Sequence, residues 1–223
     1  MPAPTAAPGP ALDGWAPWAR TADGGPLRWD PCTPVEVVLR PTGAPAGAAA
    51  DLRAALALLA AASGLDLRLI GTTDEAPTTD RSLVVRDGSG WRWAPVLVAW
   101  SEPGGDGPPL GPHDRGLAVP VAVRDGDRHA LVTGQVVLNA ARTDLRPGFG
   151  DRADSWGAVL VHELGHVLGL AHVTDTTQMM SAAPGRGPIE LGAGDRAGLA
   201  RIGAGAGCLD VPDPARGRDA ARG

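Results

Sequence analysis

Read from the amino end, the apolar positions first become regular at "VEVVLR" (Val35 to Arg40), a short run flanked by prolines that predicts a strand. "DLRAALALLAAASG" follows as a helix, with Asp51 placed to act as N-cap and Gly64 to stop it. "LDLRLI" (Leu65 to Ile70) then alternates apolar and polar residues, as a half-buried strand does, so the three elements make a β-α-β unit. "APVLVAW" (Ala94 to Trp100) is apolar throughout and suits a central strand. "GLAVPVAV" (Gly116 to Val123) carries Pro120, which has no ladder donor and belongs on a sheet edge. The Asp-Gly pair in "VRDGDRH" predicts a hairpin joining that strand to "ALVTGQVVLNA" (Ala130 to Ala140). A second helix is expected over "WGAVLVHELGHVLG", with Asp154 or Ser155 as N-cap. After it come a turn with two methionines, a Pro/Gly-rich loop and a short helix around Asp195 to Ile202.

Residues 1–28 and 211–223 are rich in Pro, Gly, Ala and Arg and lack periodicity, so they are expected to be flexible flanks around a single domain over 29–210. A chain of 223 residues is long enough for one well-cored domain. Its net charge of -5 supplies no basic stripe for nucleic acid or an anionic membrane surface, and neither is an expected partner. The longest apolar candidate, "ALALLAAASG" from Ala55, falls short of the roughly 20 residues that span a bilayer. The opening "MPAPTAAPGPALDG" has neither the basic nor the apolar region of a signal peptide and suits a linker left after one was removed. Cys32 and Cys208 have two readings. A disulfide between them would close a very long loop, worth about 4–5 kcal/mol in the chain-entropy picture, and would imply an oxidising compartment; the other reading is two buried thiols.

The chemistry is concentrated in "HELGHVLGLAH", which places three of the five histidines within eleven residues. On a helix, His162 and His166 share one face with Cβ atoms about 5–6 Å apart, close enough for both rings to reach one metal ion. His172 cannot join them on the same helix, because six further residues carry it about 9 Å along the axis and about 240° around it. The chain has to turn, and Gly169 stands where a left-handed residue is needed. Three neutral imidazoles bind zinc and leave a fourth position for water, the arrangement of a catalytic site. Glu163 is then placed beside that water as general base.

"HELGHVLGLAH" fits the metzincin pattern HExxHxxGxxH, and the following "VTDTTQMM" resembles the approach to a Met-turn. The short distance from His172 to the methionines resembles matrixins, and points to Met180 rather than Met179 as the Met-turn residue. The absence of Tyr agrees, since astacins and serralysins use one in that turn as a further ligand. "RWDPC" and "GDRAGLARIGAGAGC" resemble secreted matrixin-like peptidases of actinobacteria, a resemblance that implies pairing of Cys32 with Cys208. "MMSAAPG" lacks the Tyr-Pro that often follows the matrixin methionine. The resemblance implies an α+β metzincin-like domain: a mixed twisted sheet with an antiparallel edge strand, divided into subdomains at about 29–169 and 170–210. It implies one catalytic zinc, and a protein or peptide substrate extended along an edge formed by Leu117, Ala118 and Val119. The loop Ser181 to Glu190 would form part of the opposite wall. The expected protein is a secreted, monomeric zinc endopeptidase; the competing class is a noncatalytic zinc-binding or peptide-binding module on the same fold.

Other residues have plainer readings. Asp175 is either a turn former or a fourth ligand that would close the site. His113 and His129 suit surface loops, and the seven tryptophans suit packing. Asp106, Asp114, Asp125 and Asp127 lack EF-hand spacing, which leaves calcium open.

Overall fold

The structure, a computed structural model, describes residues 14–105, 107–183 and 185–215. Strand β1 (Val35–Leu39) buries Val35, Val37 and Leu39 on one face, and helix α1 (Ala48–Ser63) covers them with Leu52, Ala55, Leu56 and Leu59, which recur at helical spacing. The helix begins before Asp51: Gly47 is the N-cap, and Asp51 lies buried in the first turn. There its carboxylate accepts the Gly148 N–H at 2.8 Å, so Asp51 ties α1 to a distant loop instead of capping. Gly64 ends the helix at φ 70° as expected. Strand β2 (Leu67–Thr72) starts later than the alternation suggests, because Leu65 is held in the exit turn by a hydrogen bond from its N–H to Ser63 Oγ.

A partly buried hairpin, β3 (Val84–Asp87) and β4 (Gly90–Trp93), precedes β5 (Val96–Ser101), whose residues Val96 to Ala99 are fully buried. β6 (Gly116–Asp125) and β7 (Arg128–Asn139) form the expected hairpin through Gly126, which has φ 61°. The five-stranded sheet runs β2-β1-β5-β7-β6, parallel except for the β6–β7 pair. β6 is therefore the antiparallel edge, with Pro120 opposite Gly134.

The remaining helices are α2 (Trp156–Leu168) and α3 (Ala193–Ile202). α2 packs on α1, β6 and β7, and its Leu160, Leu164 and Val167 join Val98, Val136 and Leu138 in the main core. Trp100 meets Trp156 edge-on at 5.8 Å, which is the packing role expected of the tryptophans. A loop between β2 and β3 is fastened to the sheet by buried Arg81, which donates to Thr133 Oγ1, Gly134 O and Pro95 O and pairs with Glu75 at 2.8 Å.

The described part of the amino-terminal flank is not loose. Trp15, Ala16 and Leu27 are buried, and Trp18 N–H donates to Gly169 O at 2.7 Å. This departs from the flexible flank expected over residues 1–28: the segment makes isolated bridges rather than a strand, so its order has no periodic signature. Residues 1–13 and 216–223 lie outside the described part. Cys32 and Cys208 form a disulfide with Cα atoms 5.4 Å apart, joining positions 176 residues apart. No described helix is long and apolar enough to cross a membrane.

Candidate active site

The site is built on α2. Ser155 holds the N-cap position, but its hydroxyl donates to Asp151 O instead of capping. The helix ends at Gly169, φ 114°, whose N–H returns to His166 O. A side chain there would meet Leu27 O at 3.0 Å, so glycine is required by both conformation and space. The chain reverses after Gly169 and brings His172 back beside the helix.

The three imidazoles converge. Nε2 of His162 lies 3.2 Å from that of His166 and 3.0 Å from that of His172, and the last two are 3.1 Å apart. His162 Nδ1 is 2.8 Å from Met179 O, and His166 Nδ1 is 2.8 Å from Leu170 O. A carbonyl can only accept, so both Nδ1 atoms carry their protons and both Nε2 lone pairs face inward. Converging acceptors repel unless a cation lies between them, and ligands of a tetrahedral zinc at 2.0–2.1 Å are about 3.3–3.4 Å apart. The donor set therefore fits one zinc ion. Burial lowers the pKa of all three rings, that of His162 to about 4, which keeps them neutral and ready to ligate at pH 7.

Glu163 is buried and faces the edge strand. Burial, helped by the Asp114 charge, pushes its carboxyl up to about 8, against the Ala118 backbone N–H, which favours the charged form. A Cβ on Gly116 would come within 2.9 Å of Glu163 Cγ, so the glycine that opens β6 makes room for this carboxyl. Leu117, Ala118 and Val119 follow, half-buried, on a strand whose outer edge has no partner strand among the described residues.

Met180 packs against α2 at Gly165. Its Sδ would be only 2.5 Å from a Cβ on Gly165, a contact open to a helix only where it carries glycine. Val173 N–H donates to Met180 O at 3.0 Å, tying the turn to the residue after His172. The turn is held by Asp195, whose buried carboxylate accepts from Met179 N–H at 2.6 Å, Met180 N–H at 3.1 Å and Gly192 N–H at 2.8 Å. The sequence marks Asp195 only as the start of a short helix; its acceptor role depends on backbone groups brought in by folding. Asp175 accepts from Thr177 N–H and Oγ1 and is not among the converging ligands, so it is a turn former. The loop over 181–190 is pinned to the approach to α2 through Gly187 and Asp151.

The matrixin family matches the chain over residues 109–202, from the approach to β6 through the end of α3. Over that segment the chain is similar to matrixins. The matched segment contains all three histidines, Glu163, Met180 and the edge strand, and the matrixin-like domain falls in the general class of zinc-dependent metallopeptidases. A search of curated proteins finds no match. Residues singled out by sequence but lying elsewhere include His113, which is exposed, and His129, at the far end of the β6–β7 hairpin. Among the described residues, Asp114, Asp125 and Asp127 form no group of converging ligands; Asp106 lies outside them.

Proposed function

We propose that this matrixin-like domain is a secreted endopeptidase that hydrolyses internal peptide bonds of proteins, with His162, His166 and His172 holding one zinc ion and Glu163 acting as general base. The observation that carries the reading is the convergence of three Nε2 atoms at 3.0–3.2 Å next to a buried carboxyl under an open sheet edge. When bound, zinc supplies the Lewis acidity for hydrolysis at neutral pH. The substrate lies as an added strand along Leu117, Ala118 and Val119, its backbone paired with β6 and its side chains in flanking pockets. Ionised by the positive charge of the occupied metal site despite its burial, the Glu163 carboxylate takes a proton from the attacking water and delivers it to the leaving amine nitrogen. The loop 181–190 forms part of the far wall of the cleft, and the domain divides at about residue 170 into the parts above and below it.

The disulfide supports export to an oxidising compartment. The test is hydrolysis of a quenched peptide library by zinc-loaded protein beside Glu163→Ala, with zinc content measured in both. Internal cleavage by the parent, lost in a variant that keeps its zinc, is the expected result. Zinc in both with cleavage in neither would replace this reading by that of a noncatalytic binding module.

A further inference from the structure

The turn that carries the third histidine is held from outside the matched segment. Leu170 sits at its apex, and three hydrogen bonds meet there: Leu170 O accepts from His166 Nδ1 at 2.8 Å, while the peptides on either side are clamped by Trp18 N–H to Gly169 O at 2.7 Å and Ala171 N–H to Ala16 O at 2.8 Å. Pro17 lies opposite Leu170 in an antiparallel bridge. Trp15 closes the arrangement from below. A Cβ on Gly198 of α3 would approach both Leu170 Cδ2 and the Trp15 ring to within 2.9 Å, so the three are in tight contact. Gly14 packs as closely on Gly194.

From this geometry we infer that residues 14–18 are a positioning strap for the metal centre, an inference that rests on the zinc reading above. The strap fixes the peptide planes on both sides of Leu170, and with them the direction of the carbonyl that orients the His166 ring. His172 follows two residues later and takes its position from the same clamp. Groups that orient ligands in this way commonly change metal affinity by about 10–100-fold when removed. The strap donates and accepts through its backbone, so its contribution is separable from side-chain packing.

The separating pair is Trp18→Pro, which removes the N–H donor together with the ring, and Trp18→Ala, which removes only the ring. Both are made in the full chain. Zinc affinity is read by chelator competition, and ligand geometry by the visible spectrum of the cobalt-substituted protein. Trp18→Pro is expected to bind zinc about 10–100-fold more weakly than Trp18→Ala and to shift the cobalt bands, with metal-free unfolding temperatures alike. Equal affinity and identical spectra in the two, with normal binding by the parent, would overturn the strap alone. Should Trp18→Pro fail to fold, Trp15→Ala and Trp15→Phe decide: weaker binding in the first, restored in the second, is expected, and parental affinity in both overturns the inference. A parent that binds no zinc, or binds it equally well after His166→Ala, would overturn the zinc reading and this inference together.

Discussion

The two halves of the histidine cluster are built by different means. His162 and His166 stand on one helix face, are largely enclosed, and each has a backbone carbonyl for its Nδ1. His172 is exposed and sits on a turn held by contacts reaching to Ala16, Trp18, Met180 and, through Met180, Asp195. A helix places two ligands by its own geometry; the third depends on the rest of the molecule. The helical half should therefore fail through its own residues, and the turn half through residues far away in sequence.

The largest effect expected is loss of the helical half. His162→Ala or His166→Ala should abolish stoichiometric zinc binding, measured by metal analysis after dialysis, and with it all peptidase activity; a variant retaining one tight zinc would refute the ligand set. Glu163→Gln is expected to keep zinc and lose activity by about 10²–10⁴-fold in kcat.

The turn half should respond through stability and metal affinity together. Asp195→Ala would leave three inward N–H donors unpaired, at about 1–3 kcal/mol each before relaxation. Chemical unfolding should show a large loss, with weakened zinc binding beside it; Asp195→Asn should recover part of both. Gly165→Ala reaches across the two halves by forcing Met180 aside, and should cost about 1–3 kcal/mol as an overpacked contact.

The smallest effect is that of acid on the metal-free protein. The folded rings titrate below the ordinary histidine value, His162 at about 4, so between roughly pH 6.5 and 4 the unfolded chain takes up protons that the folded one refuses. The contribution of the rings should be complete above pH 6.5 and be lost as the pH drops through that window, while Glu163, raised to about 8, acts in the opposite sense and withdraws stability as the pH rises from about 4.5 to 8. In Glu163→Gln, which removes the opposing carboxyl, a flat profile in urea melts would show that the rings are less enclosed than the structure indicates.

The same contrast explains what could be read from the sequence. α2, Gly169 and the three histidines were legible because periodicity and ligand spacing coincide in one short stretch. The edge position of β6 was legible from Pro120 alone. Asp51 misled, since an acid near a helix start has two uses and only the fold brings Gly148 to it. The β3–β4 hairpin escaped because two four-residue strands show little burial and leave no alternation to detect. The parts played by Ala16, Trp18 and Asp195 were invisible because their partners are backbone groups, which carry no sequence signature.

The bridge between Pro17 and Leu170 also has a bearing on synthesis. Most of the described fold is made between the two residues it joins. A contact so distant along the chain closes late and raises the contact order of the fold. Until it closes, the turn that carries His172 in the nascent chain is without its clamp.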